Sequence, residues 1–157
     1  MAELSLEQRI SRLESIEQIR TLKAVYCEFC DRGYDPDGLA GLFTEEAVWD
    51  GGIFGRYEGR QAIRQFFKGV SGSLVFAAHL VMNPIIKFVD DDTATGKWRL
   101  WQPATQNEGG KLECKFLLAA YDDVYVRTAG TWLHKSVKVQ VNFFEPVTSG
   151  WAHSATQ

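Results

Sequence analysis

Histidine and cysteine are scarce in this chain, with three of each among 157 residues. Cys27, Cys30 and Cys114 form an odd set, so a disulfide framework is not expected and a reducing, cytoplasmic setting is. Cys27-Glu-Phe-Cys30 has no second cysteine or histidine pair at ligand spacing, so it reads as packing rather than as a redox or metal motif. Long apolar runs are missing too. None approaches the roughly 18 residues of a membrane span. The acidic start, Met1 to Glu7, lacks a basic segment followed by an apolar block, and predicts no secretory signal. Excess positive charge is also absent: 17 basic residues face 20 acidic ones, a formal net charge of −3. No basic stripe is available for nucleic acid, and no nucleic-acid partner is expected. Gly51-Gly52 and Gly109-Gly110 lack the strand-to-helix setting of a phosphate loop, so no cofactor is expected.

Aromatic rings, by contrast, are abundant: 10 Phe, 5 Trp and 5 Tyr. One core can absorb many rings, but this number also suits an apolar cavity with walls of its own. The chain length suits a single domain, residues 1–157.

Ser5-Leu-Glu-Gln8 has the form of a capping box. Behind it Ile10, Leu13, Ile16, Ile19, Leu22, Tyr26 and Phe29 recur every three or four residues, which predicts one long helix ending near Gly33. Asp35-Pro36 opens a short helix through Leu42, and a third helix is expected over Arg60–Val70. The period then changes. Leu74–Val89, Thr93–Thr105, Lys111–Val126 and Thr131–Phe144 favour strands, separated by the turns Asp90–Asp92, Asn107–Gly110 and Thr128–Gly130. Two shorter strands are expected around Ala47–Asp50 and Phe54–Tyr57. Helices first and strands later predict an α+β fold, with a curved sheet wrapped over the long helix.

Alternation assigns faces. Gly96, Trp98, Leu100 and Gln102 share one side, expected to be concave. In the last strand Val137, Val139, Val141 and Phe143 form the apolar set, which puts His134 on the convex face with Ser136, Lys138 and Gln140. Around His79 both faces are apolar, so parity leaves its direction open.

His79 is either a core imidazole satisfied by hydrogen bonds or a general base, since imidazole titrates near neutral pH. A base needs an orienting partner, and Asp31 is the candidate. Asp31 otherwise reads as a solvated carboxylate near a helix end, where it opposes the helix dipole at a cost of roughly 0.3–1 kcal/mol. Tyr26 is core by default, or a hydroxyl that polarises a substrate oxygen. Five residues from Asp31, it sits roughly 140° away around an ideal helix. Asp90-Asp91-Asp92 reads as a solvated turn rather than a metal cluster, and His153 lies in a terminal tail.

Taken in order, Leu13–Arg20, Tyr26…Asp31, Leu42-Phe43-Thr-Glu-Glu-Ala-Val-Trp49, Tyr57-Glu-Gly-Arg-Gln-Ala-Ile63, His79…Asn83-Pro84, Asp92-Thr-Ala-Thr-Gly96 and Trp132 resemble the SnoaL-like branch of the nuclear transport factor 2-like superfamily. The resemblance covers about residues 8–146, leaving 147–157 as a tail. It implies a cone: a curved antiparallel or mixed sheet around the long helix and two shorter ones, enclosing an apolar pocket. Scytalone dehydratase, bile acid 7α-dehydratase and hexachlorocyclohexane dehydrochlorinase lie in this branch, and their helix-borne aspartate and strand histidine match Asp31 and His79. Tyr26 matches the tyrosine of the bile acid enzyme. Val137 stands where the dehydrochlorinase has an arginine, which points away from halide elimination.

The resemblance therefore implies a lyase or isomerase without cofactor or metal, acting on a small hydrophobic, aromatic or polycyclic substrate. His79, Asp31 and Tyr26 would be catalytic. Trp49, Phe54, Phe67, Trp98, Gln102, Phe116, Val137 and Phe143 would line the substrate. A homo-oligomer, trimer or dimer, is implied as well. A noncatalytic binder of apolar ligands and a structural β-subunit of a ring-hydroxylating dioxygenase are the alternatives on the same fold.

Overall fold

A computed structural model describes residues 4–148. The expected tail at 147–157 and His153 therefore lie mostly outside the described residues. Helix α1 covers Leu6–Asp31, and its capping box is present, with Gln8 N–H donating to Ser5 Oγ and Ser5 N–H to Gln8 Oε1. Two short turns of chain later, Asp35 caps α2 (Pro36–Gly41) by accepting from the N–H groups of Asp37 and Gly38. Helix α3 spans Arg60–Ser73 and buries Ile63 and Phe67, one turn apart on its inner face. It runs three residues past the expected Val70, because the next strand begins only at Leu74.

Seven strands follow or interleave: β1 (Phe43–Asp50), β2 (Arg56–Glu58), β3 (Leu74–Ala77), β4 (Leu80–Phe88), β5 (Thr93–Glu108), β6 (Lys111–Thr128) and β7 (Thr131–Pro146). Their order is β2-β1-β7-β6-β5-β3, with β4 also paired to β5. All pairings are antiparallel except β1 with β7, so the sheet is mixed, curved and open, and the fold is α+β as expected. No described helix is long and apolar enough to cross a membrane. β1 starts four residues earlier than expected. The segment at Gly52–Phe54 is a single tight turn rather than the start of β2.

Along β5 the expected alternation holds: Gly96, Trp98, Leu100, Gln102 and Ala104 are all buried, while Lys97 and Arg99 are exposed. β7 does not keep its parity. Val124 pairs with Ser136 but Tyr125 with His134, so Lys135 is an extra residue, and a second bulge places Asn142 between Val141 and Phe143. Each bulge slips the alternation by one. His134 therefore turns inward and is fully buried, against the expectation that it faces outward. Phe143 turns outward.

A third departure matters most. The expected strand Leu74–Val89 is broken at Ala78–His79 into β3 and β4, both on β5. Ala78 N–H still donates to Pro103 O, but His79 N–H leaves the ladder and donates instead to the Asp31 carboxylate.

Candidate active site

The break at His79 is where helix and sheet meet chemically. α1 ends at Asp31, and the chain turns away through Gly33 (φ 90°) and Tyr34 (φ 60°), whose N–H groups both donate to Cys30 O. A left-handed conformation is ordinary for glycine and costly for tyrosine. It tucks the Tyr34 ring inward, where it is buried and meets the His79 ring edge-on at 6.1 Å.

Asp31 receives His79 twice. The His79 backbone N–H lies 3.0 and 3.1 Å from the two carboxylate oxygens, and Nδ1 lies 2.6 Å from Oδ1. A carboxylate accepts only, so Nδ1 carries the proton, and in the neutral imidazole the lone pair is then on Nε2. Nε2 has no protein partner among the described residues. The backbone contact fixes where the carboxylate sits relative to the peptide, and the ring contact fixes the imidazole plane. The His79 side chain is 5% exposed and that of Asp31 34%, so the pair lies in the wall rather than on the surface.

Two hollows meet at that wall. The inner one holds about 830 Å³ of atom-free space, counting its open side, and is lined by rings and aliphatic groups together with His79, Gln102, Gln106 and Ser73. The outer one runs between α1 and β4, past Arg20, Glu28, Asp31, Arg32, Pro84 and Trp98. His79 borders both; Asp31 borders only the outer.

Tyr26 stands in the inner wall, fully buried, and its hydroxyl accepts a hydrogen bond from Trp49 Nε1 at 3.0 Å. Burial, reinforced by the nearby Cys30 and Tyr121, pushes its pKa well above the usual value. Tyr34, whose hydroxyl hydrogen-bonds with Gln102, is raised in the same way. Both stay protonated, as donors must. Cys27 and Cys30 are buried behind the wall, and burial pushes the Cys27 thiol up to about 11, so neither is poised as a nucleophile.

Of the expected lining residues, Trp49, Phe54, Phe67 and Gln102 border the inner hollow with Tyr26 and His79. The other four do not. Trp98 donates through Nε1 to Tyr125 and borders the outer hollow. Val137 is completely buried in the core. Phe116 and Phe143 pack on Trp101 at ring distances of 4.7 and 6.2 Å, on the opposite face of the sheet. Leu117 and Phe144, one residue further on, take the inward places. Sequence reasoning missed Tyr34, Gln106 and Tyr121. Of these Gln106 was visible, since it shares the parity of Gln102; Tyr121 depends on the register of β6 against β5, which the sequence does not display.

A search of solved structures returns the same cone. A hexachlorocyclohexane dehydrochlorinase, LinA-type3 from Novosphingobium barchaimii LL02, superposes with a TM-score of 0.80 at 21% identity, over 95% of this chain and 99% of that one. A type 2 LinA dehydrochlorinase gives 0.81 at 22%, over 88% and 93%. A protein from Novosphingobium aromaticivorans DSM 12444, provisionally assigned as a scytalone dehydratase, gives 0.79 at 20%, over 87% and 90%. These likenesses establish the fold. No curated protein matches in sequence. The family model of the SnoaL-like domain matches residues 11–138, most of the chain, and the chain therefore belongs to the SnoaL-like domain family.

Proposed function

We propose that this protein is a lyase or isomerase of the dehydratase type, acting as one domain on a small hydrophobic substrate in the inner hollow. The observation that carries the reading is the 2.6 Å contact between His79 Nδ1 and Asp31 at the wall of a ring-lined cavity. The family and its dehydratase and dehydrochlorinase neighbours support the same class.

In this mechanism Nε2 of His79 removes a proton from carbon next to a carbonyl. The C–H electrons move toward the carbonyl, and Tyr26 donates a hydrogen bond to the developing enolate oxygen. The enolate then collapses to a carbon–carbon double bond as the β C–O bond breaks. The hydroxide leaves as water with the proton held by the imidazolium. In a β,γ-unsaturated ketone with no leaving group, the same abstraction gives a dienolate. Its β,γ electrons take the proton back from the imidazolium at the γ-carbon, the carbonyl re-forms, and the double bond has moved to the α,β position. Asp31 stays ionised throughout, holding the tautomer and stabilising the imidazolium.

The test uses uncharged β-hydroxy ring ketones, with appearance of the conjugated enone followed by absorbance. His79→Ala should lower turnover about 10²–10⁴-fold, the usual worth of a general base. Asp31→Asn should lose nearly as much, since a carboxamide can present N–H to Nδ1 and hold the wrong tautomer. Undiminished turnover by His79→Ala refutes the mechanism.

Self-association belongs to the same proposal. Val75, Phe76, Leu80, Met82 and Ile85 are 41–55% exposed along β3 and β4, beside the open sheet edge. Light scattering after gel filtration should give a dimer or trimer mass.

A further inference from the structure

The inner hollow is apolar but not uniformly so, and its polar groups lie at two ends of one strand. At the first end are His79, Tyr26, Tyr34 and Gln102, with both tyrosines held protonated by burial. At the second are Gln106 and Ser73. Leu74 pairs with Gln106, so Ser73, the last residue of α3, arrives beside it. Gln102 and Gln106 share a face of β5 and stand about 14 Å apart at ~3.4 Å per residue.

The second end is incomplete. Gln106 Oε1 is shielded from solvent and has no hydrogen-bond partner. Ser73, which is exposed at the mouth of the hollow, donates its hydroxyl proton to Val70 O, 3.1 Å away, and leaves its lone pairs to water or to a ligand. A buried amide oxygen without a partner is costly, and a ligand group that supplies one is selected. A turn about the terminal carboxamide bond, a soft torsion, can present either its oxygen or its N–H₂ to the hollow. A ligand hydroxyl, both donor and acceptor, satisfies either orientation.

No Lys, Arg, Asp or Glu side chain faces this space. The ionised groups at this wall, Arg20, Glu28, Asp31 and Arg32, border the outer hollow. An anionic or cationic ligand would lose its hydration with no counter-ion in return.

We propose that the inner hollow binds an uncharged, mostly hydrocarbon ring compound with a carbonyl at the His79–Tyr26 end and a hydroxyl at the Gln106–Ser73 end. The inference rests on the reading of this hollow as the substrate site and adds which molecules it admits. The carbonyl meets two tyrosine donors, and the hydroxyl completes Gln106. Between them the rings supply area and little direction.

Three fluorescent probes of one shape test it: 2-acetylnaphthalene carrying hydroxymethyl, ethyl or carboxylate at position 6. Affinities are measured by calorimetry for the unmodified protein and for Gln106→Met, which keeps length and removes polarity. The hydroxymethyl-to-ethyl affinity ratio should fall about tenfold in Gln106→Met, the worth of one hydrogen bond to an otherwise orphaned partner. The carboxylate should bind at least tenfold more weakly than the hydroxymethyl probe. His79→Ala should leave the ratio unchanged, so a failed catalytic mechanism and a failed specificity are told apart. An unchanged ratio in folded Gln106→Met, a carboxylate that binds as well as the alcohol, or no binding by any probe up to its solubility limit overturns the proposal.

Discussion

Two regions of this molecule each hold a histidine and an aspartate, and they differ in almost every other respect. In the first, His79 and Asp31 touch through the ring and the backbone, in a wall with hollow space on both sides. In the second, beneath Tyr26, the Lys23 ammonium donates to Asp123 Oδ2 at 2.9 Å, and Tyr125 donates to the same oxygen at 2.8 Å. His134 packs on Tyr26, Phe43 and Tyr125, yet neither ring nitrogen has a partner. Burial, helped by Lys23, drives the His134 pKa well below its usual value, and burial raises that of Asp123. The same residue types thus serve opposite ends. Sealed and paired with lysine, the aspartate joins helix to sheet and the imidazole is an inert ring. Paired with imidazole at an opening, the aspartate prepares a base.

The sharpest way to break that contrast is to attack the sealed pair. Lys23 and Asp123 are 1% and 0% exposed, so neither charge has water to fall back on. Lys23 Nζ also lies 3.2 Å from the Tyr121 ring centre. Lys23→Met leaves a buried carboxylate without its cation, with the Tyr125 hydroxyl as its remaining donor, and should cost about 3–5 kcal/mol in urea unfolding. His79→Ala, in the open region, should cost far less stability while abolishing most turnover. Equal stability losses would erase the distinction between the regions.

The sequence carried these two regions unequally. Alternation along β5 was legible because that strand is regular, and the pairing of Asp31 with His79 was legible by resemblance. The inward turn of His134 was not, since it depends on one extra residue at Lys135, and a bulge carries no periodic signature. The strand break at His79 was equally hidden. It arises because a carboxylate 48 residues earlier takes an N–H that the ladder would otherwise use. Nothing in the sequence marks Tyr34, because its burial follows from a left-handed turn that sequence favours only for glycine or asparagine.

Titration offers a second, milder test. An unfolded histidine takes up its proton near pH 6.5. Folded His134 resists it, so below that pH the unfolded chain binds more protons than the native one. The stability His134 permits is complete above about pH 6.5 and is lost as pH falls, at up to ~1.4 kcal/mol per unit. Asp123 acts in the opposite sense above the usual carboxylate pKa, because its raised value favours the protonated native state. The two contributions separate by difference. His134→Phe, which suits the surrounding rings and removes two unpartnered nitrogens, should be neutral near pH 7.5 and should lack the His134 slope between about pH 6.5 and 5. Denaturant unfolding across that range, alongside the unmodified protein, reads it directly. Parallel curves would mean that His134 is not held neutral.

Tyr26 belongs to both regions, and its variant gives the smallest and most discriminating effect. Its ring lies 5.6 Å from the His134 ring, while its hydroxyl accepts from Trp49 Nε1 at the inner hollow. Tyr26→Phe keeps the ring and removes only the hydroxyl. The sealed region should barely register it. The loss is one hydrogen bond with Trp49 Nε1 left unpaired, about 1–3 kcal/mol. Turnover should fall more than tenfold, since a donor aimed at developing charge is worth more in the transition state than in the folded ground state. A fall in stability without a fall in turnover would assign Tyr26 wholly to the core, and leave Tyr34 as the tyrosine donor beside His79 in the hollow.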